Sequence, residues 1–280
     1  MPQFKYPLRG VGNLIGQAGT GESSLSFCFP KNGEVEENYQ QSHLGSEGLR
    51  ILPDGSGIVH TDNGSNVFYY SMSTPYDLTT IDNSGVSVSA SLSGGGNQGV
   101  CFSSDGTKMF VADNNNNEIA QYTMSTAYDV TTINSGDGSR GLGYGPKSVA
   151  ITNDGTKMFA GDGNGNLQEL SLTTANDVTT GAQLETQQNF SIENNSLSTI
   201  TIHPTISDFL LVYEEGVGLW LLDTGGGYDL LTASRRTGYY VLSSANANLL
   251  DGFDFVENGN DGFFYVGIDQ NSENFILFID

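Results

Sequence analysis

A stretch of this chain comes round again. Residues 99–133 read GVCFSSDGTKMFVADNNNNEIAQYTMSTAYDVTTI, and residues 148–181 read SVAITNDGTKMFAGDGNGNLQELSLTTANDVTTG. A more diverged copy lies upstream at 48–81, GLRILPDGSGIVHTDNGSNVFYYSMSTPYDLTTI. The Asp-Gly pairs fall at Asp54-Gly55, Asp105-Gly106 and Asp154-Gly155, so the steps are 105 − 54 = 51 and 154 − 105 = 49 residues. A strand-built repeat of about 40–50 residues is the signature of a β-propeller, each repeat making one four-stranded blade.

The second copy shows why the elements are strands. Gly99–Ser103 is a short apolar run, Asp105-Gly106 is a turn, and Lys108–Ala112 is a second run. Asp113 through Asn117 is an amide-rich hairpin. Glu118–Met124 then alternates Ile119, Gln121 and Thr123 against Ala120, Tyr122 and Met124, the period of a strand with two different faces. Asp-Gly and Asn-rich pairs suit hairpins because they tolerate positive φ. A helical reading fails, since Gly and β-branched residues interrupt every window.

Two weaker copies follow, at 198–233 and 252–280. The last stops at Asp280 after three strands, so its fourth must come from elsewhere. The amino-terminal region is the natural donor, either Leu25–Phe29 or residues 35–42. Closing the ring in this way removes an open sheet edge that would template aggregation. The expectation is one all-β propeller over residues 24–280, with five four-stranded blades, closed by an amino-terminal strand. Residues 1–23 lie outside the repeat, are rich in Gly, and read as an arm. A sixth, degenerate blade over 11–47 is the alternative.

Charge narrows the partners. The formal net charge is −22, although charged residues are only 15% of the 280. The imbalance comes from ten Lys and Arg against 32 Asp and Glu. That argues against nucleic acid, whose phosphates need clustered cations. No run of about 18 apolar residues suggests a membrane span. MPQFKYPLRG has no apolar core, so no signal peptide is expected. Cys28 and Cys101 sit in strand-like contexts and read as buried small hydrophobes, a disulfide being the other reading. Two Cys and three scattered His give no zinc pattern, and no cofactor is expected.

Candidate sites follow from the loops. Asp162, Asn164 and Asn166 alternate like the start of a calcium loop, but Leu167 and Thr173 stand where such a loop needs Gly and a bidentate Glu. The hairpins should share one face with the inter-blade loops 93–98 and 135–147. Asn115, Asn117, Arg140, Tyr144 and Asn164 are the candidate ligand-binding residues there, suited to a sugar by their amides and aromatic ring. On the opposite face, SMSTPYDLTT (71–80), TMSTAYDVTT (123–132) and SLTTANDVTT (171–180) read as blade packing, the Asp accepting from the turn backbone. Phe4, Lys5, Tyr6, Leu8 and Arg9 of the arm are the candidate partner-binding residues, for other assembly subunits or copies of this chain. For catalysis there is no Gly-x-Ser-x-Gly elbow, and His43, His60 and His203 have no neighbouring signature. Glu214-Glu215 diverge as strand neighbours, and Asp251, Asp254 and Glu257 could reach a central channel.

The DGTKMFVAD strand, its hairpin and YTMSTAYDVTTI together resemble propeller repeats of bacteriophage virion proteins and of bacterial surface proteins, including the YVTN type. The resemblance is strongest over 97–181, weaker over 47–96, and faint beyond 197. It carries no catalytic residue across. It implies a non-enzymatic structural or interaction protein of a phage particle, a tail or capsid accessory, assembled in the host cytoplasm. The alternatives are an extracellular carbohydrate-binding propeller and a propeller lactonase or hydrolase.

Overall fold

The structure, a computed structural model, describes residues 35–40, 48–82, 84–90, 95–183, 187–191, 195–202, 207–235, 250–257, 263–269 and 274–278. The arm with Phe4, Lys5, Tyr6, Leu8 and Arg9 lies outside them, as do Leu25–Phe29, Cys28, His43 and His203. The first strand described is β1 (Val35–Gln40). The first sheet follows as β2 (Leu49–Ile51), β3 (Gly57–Thr61), β4 (Asn66–Ser71) and β5 (Val86–Ser89). The second is β6 (Asn97–Phe102), β7 (Lys108–Asp113), β8 (Glu118–Thr123) and β9 (Gly138–Gly141). The third contains β10 (Pro146–Ile151), β11 (Lys157–Asp162), β12 (Asn166–Leu172), β13 (Gly181–Gln183) and β14 (Gln188–Asn189). The fourth is β15 (Leu197–Ile202), β16 (Phe209–Glu214), β17 (Gly218–Asp223) and β18 (Ser234–Arg235). β19 (Leu250–Glu257), β20 (Phe263–Asp269) and β21 (Asn274–Phe278) form a last sheet with β1 at its outer edge.

Each sheet is antiparallel, and β2, β6, β10, β15 and β19 are the innermost strands. They touch in cyclic order, β2 to β6 to β10 to β15 to β19 and back to β2. The fold is an all-β single propeller. The expected set of five four-stranded blades needs correcting, because among the described residues four sheets have four strands and the third has five. In the third, the outer position is shared. β13 pairs with Leu170–Leu172 and β14 with Asn166 and Leu167, at opposite ends of the seven-residue β12. β1 pairs antiparallel with β21, from Val35 opposite Phe278 to Gln40 opposite Asn274.

The core lies between sheets. Middle strands are covered on both faces, which is why Gly57–Thr61 and Phe209–Glu214 are buried throughout. Val59 and Val67 of the first sheet meet Val100, Val111 and Ala120 of the second. Phe110 and Ile119 meet Ile151, Met158 and Leu170 of the third, and Phe159 and Leu167 meet Ile200, Val212 and Trp220 of the fourth. Burying such surface stabilises by about 25 cal/mol per Å².

The repeated elements outside the strands interlock. Tyr128 takes φ +60°, and its N–H donates to the Gly106 carbonyl at 2.9 Å. Its ring lies over Gly106, where a Cβ would come within 2.4 Å, and its hydroxyl donates to the Ser104 carbonyl at 2.7 Å. Tyr76 treats Gly55 and the Pro53 carbonyl alike, and Asn176 stands over Gly155. Only glycine fits these turns. The aspartate beside each does something other than expected. Asp77, Asp129 and Asp177 cap their own short 3-10 turns by accepting from Thr79, Thr131 and Thr179 N–H, the local side-chain-to-backbone bond that Asp favours. The same turns join neighbouring sheets. Val178 N–H donates to buried Gln121 at 2.8 Å, and Leu230 N–H donates to buried Glu169 at 3.1 Å. Lys157 pairs with Glu169 at 2.5 Å and also reaches the Tyr228 carbonyl at 3.1 Å.

Candidate binding face

The hairpins between second and third strands lie on one face of the ring, each organised by an acidic residue. Asp162 accepts from Asn164 N–H at 2.8 Å, Asn166 N–H at 2.9 Å and the Asn166 amide at 2.8 Å. Asp62 does the same for Gly64 and Asn66, and Asp113 for Asn116. The alternating Asp and Asn of Asp162–Asn166 are therefore a hairpin clamp, with the carboxylate turned back on its own loop. Among the described residues, no group of three His, Cys, Asp or Glu is placed to hold a metal ion. Glu214 is the fourth sheet's counterpart, opposite Leu197 as Asp162 is opposite Pro146. It is fully buried and accepts from Trp220 Nε1 at 3.1 Å and from Ser191. Glu215 turns elsewhere and accepts from Ser198, so the two carboxylates do diverge.

The candidate ligand residues fall in different settings. Asn115, Asn117 and Asn164 are exposed on the hairpins. Asn117 has φ +56°, and its carbonyl accepts from Leu142 N–H at 2.8 Å. Gly96 packs on Asn115, links to the first hairpin through the Gly64 carbonyl at 2.9 Å, and accepts from Asn114 N–H at 2.9 Å. Arg140 is not in a loop, because residues 138–141 of the expected 135–147 loop form β9, the outer strand of the second sheet. Tyr144 is half-buried against the core beneath, and its hydroxyl donates to the Ala160 carbonyl at 3.3 Å. Desolvation raises its pKa above the ordinary tyrosine value, against the hydrogen bond with Gln187. Its ring belongs to the packing between second and third sheets.

A different set of polar side chains surrounds the axis on this face. β-Bulges interrupt four inner strands near their starts, between Asn97 and Val100, Pro146 and Ser148, Leu197 and Thr199, and Leu250 and Gly252. Bulges re-aim side chains and gather at the rims of closed sheets. Gln98, Lys147 and Ser198 occupy three of them. The Gln98 side-chain amide donates to the Asn63 side chain of the first hairpin, and its Oε1 accepts from Lys147 Nζ at 2.9 Å. Ser198 donates to Glu215. Just below, the inner strands close on each other. A Cβ on Gly48 would come within 2.2 Å of the Gln98 carbonyl oxygen, and one on Gly99 within 2.7 Å of Ser148 Cα.

Deeper still, one side chain ties the axis. Arg50 is 8% exposed, and its guanidinium donates to the carbonyls of Val149 at 2.9 Å and Ile200 at 2.6 Å. It also lies 3.7 Å from Asp254, whose other carboxylate oxygen accepts from Ile51 N–H at 2.9 Å. Asp254, one of the expected channel carboxylates, is thus engaged by Arg50. Cys101 is buried nearby, and desolvation pushes its thiol up to about 12. His60 is buried and stacked against Phe68 and Tyr70, with ring centroids 5.0 and 5.5 Å apart.

Sequence reasoning missed Gln98, Lys147, Ser198 and Arg50. The Asp-Gly turns could have indexed three of them. Seven residues before Asp105 and Asp154 stand Gln98 and Lys147 (105 − 7 = 98, 154 − 7 = 147), and four before Asp54 stands Arg50, where the next copies have Cys101 and Ala150.

No protein-family model matches the chain, and no curated protein matches it. The chain is similar to solved structures. One is a functionally unknown protein from Desulfotomaculum acetoxidans, 12% identical, with a TM-score of 0.48 over 84% of this chain and 69% of that one. Another is a "putative 6-phosphogluconolactonase" from Bacteroides uniformis, 14% identical, TM-score 0.47, over 74% of this chain and 60% of that one. Hydrazine synthase of Kuenenia stuttgartiensis is 12% identical, TM-score 0.48, over 84% of this chain and 59% of that one. This chain thus spans less than two thirds of the latter two. No helix among the described residues is long and apolar enough to cross a membrane.

Proposed function

We propose that this protein is a non-enzymatic interaction module, a rigid disc whose hairpin face meets its partner. The observation that supports this is the axis itself. The position where a propeller enzyme would gather reactive carboxylates is taken by Arg50, bound to Val149 and Ile200 carbonyls and facing Asp254. Such a guanidinium holds sheets together, and it neutralises the carboxylate beside it. β1 completes the ring in this reading, because its pairing with β21 covers the edge that the last three strands would expose.

The assembly is a phage particle, as a tail or capsid accessory. This rests on the repeats built around DGTKMFVAD and YTMSTAYDVTTI, which resemble those of virion propellers. The test is composition. Particles purified through a density gradient and a salt wash should contain this chain at fixed stoichiometry. Its absence from washed particles, with the folded protein free in the lysate, would remove the assignment.

A further inference from the structure

The bulge ring points to a ligand site of its own. We propose that Asn63, Lys147 and Glu215, set in place by Gln98 and Ser198, form a shallow dish on the hairpin face that takes a polyhydroxylated ligand, the terminal residue of a glycan.

The argument begins with where the repeat is kept and where it is abandoned. Positions with a structural task recur in kind, as Asp54, Asp105 and Asp154 do at the turns and Asp62, Asp113 and Asp162 do at the hairpins. The bulge positions share one backbone geometry but carry Gln98, Lys147, Ser198 and Asp251. Bulge geometry alone does not call for an amide, an ammonium and a hydroxyl in turn. An asymmetric ring around a near-symmetric axis is what one asymmetric ligand on that axis requires.

Hydrogen-bond capacity narrows its chemistry. Gln98 is 2% exposed and bridges Asn63 to Lys147, so it fixes both without meeting solvent. Lys147 has three donors and Gln98 uses one. The amide of exposed Asn63 retains donors beyond its oxygen's bond to Gln98. Glu215 is partly exposed and accepts from Ser198 through one oxygen, which leaves acceptor positions on the other. The dish thus offers donors on one side and acceptors on the other. A sugar's vicinal hydroxyls can answer both, since each donates and accepts. Beneath the dish Arg50, buried and bonded from the first sheet to the Val149 and Ile200 carbonyls of the third and fourth, fills the axis, so the site is a surface dish and not a tunnel. The one intact aromatic candidate, Tyr144, is turned into the core and supplies no stacking platform. Binding to a single residue should therefore be weak, and useful through many copies on one assembly.

The test is a glycan array probed with the full chain, followed by titration of the best hit and watched by amide chemical shifts. Saturable binding is expected, with shifts centred on Asn63, Lys147 and Glu215. Lys147→Ala and Asn63→Ala should each weaken it at least about tenfold, while Leu231→Ala, at an exposed leucine outside the dish, leaves it unchanged. Lys147→Met keeps the apolar stem, so a loss there with an unchanged melting temperature assigns the effect to the ammonium. No saturable glycan in the array, or binding that survives both substitutions at the dish, overturns the proposal. Neither result depends on whether the protein belongs to a particle, which the composition test decides separately.

Discussion

Arg50 and Asp254 stand 254 − 50 = 204 residues apart in sequence but face each other at the axis, guanidinium to carboxylate at 3.7 Å. Arg50 is in the first sheet and Asp254 in the last, while the same guanidinium reaches the third and fourth sheets through Val149 and Ile200. One side chain therefore bonds across several boundaries of the ring. Arg50→Met should cost about 3–5 kcal/mol, the usual penalty for stranding a buried charge. Asp254→Asn in the Arg50→Met background should recover part of it. A double-mutant cycle by urea unfolding measures this, and additive losses would show that the pair is not coupled.

The turn beneath Tyr128 gives a second prediction. Gly106 has φ +67°, and a Cβ there would press within 2.4 Å of the Tyr128 ring. The left-handed backbone alone costs a non-Gly residue about 1–2 kcal/mol, and the forced contact adds about 1–3 kcal/mol. Gly106→Ala should therefore cost more than about 2 kcal/mol. In a Tyr128→Ala background only the backbone share should remain. Equal costs in both backgrounds, by thermal or urea unfolding, would mean that the ring is not what requires glycine.

How far the sequence could be read follows from what kind of contact each feature makes. The Asp-Gly turns, the amide hairpins and the alternating strands are local, and the structure forms them at 105–106, 113–117 and 118–123 as their residues dictate. Outer strands were harder. Gly138–Gly141 contains two glycines and an arginine, has no apolar alternation, and is a strand only because β8 offers it an edge. Gly181–Gln183 and Gln188–Asn189 share one such edge, which no propensity foretells. The mouth residues needed register. A bulge shifts Gln98 or Lys147 by one place relative to its neighbours, and that shift is invisible until the strands are paired. Tyr144 looked like a free aromatic because its loop is polar, yet the ring folds back onto the core.

Acid should weaken the surface cluster around Lys108. Burial alone would raise the Asp137 pKa. Hydrogen bonds from Thr123, Lys108 and Asn134, with the Lys108 charge 2.9 Å away, outweigh it and hold the group at about 2. The unfolded chain has Asp near about 3.9, so the folded value is depressed. The stabilisation is then complete above about pH 4–5 and is lost as the pH falls through about 2. The pair is partly solvated, so its worth is at most about 1 kcal/mol. Asp137→Asn should lower stability by that amount at pH 6, and the difference should shrink as the pH falls toward about 2 and vanish below it. An equal difference at both pH values would remove the carboxylate from the account.

The amino-terminal strand gives the last prediction. β1 reads VEENYQ, with little to hold it as a strand on its own, and among the described residues its ladder partner is β21. Without it, the Asn274–Phe278 strand NFILF would present unpaired backbone along a largely apolar sequence. Such an edge invites pairing with another chain. Deleting residues 1–42 should therefore lower the melting temperature and send the protein into soluble oligomers or aggregate. A shorter deletion that stops before Val35 keeps β1 and should leave the melting temperature unchanged. Light scattering and thermal unfolding of the two truncations separate the strand from whatever precedes it. A monomeric 43–280 chain that melts with the full-length protein would mean that the ring holds without β1, and that Arg50 and the inner strands suffice.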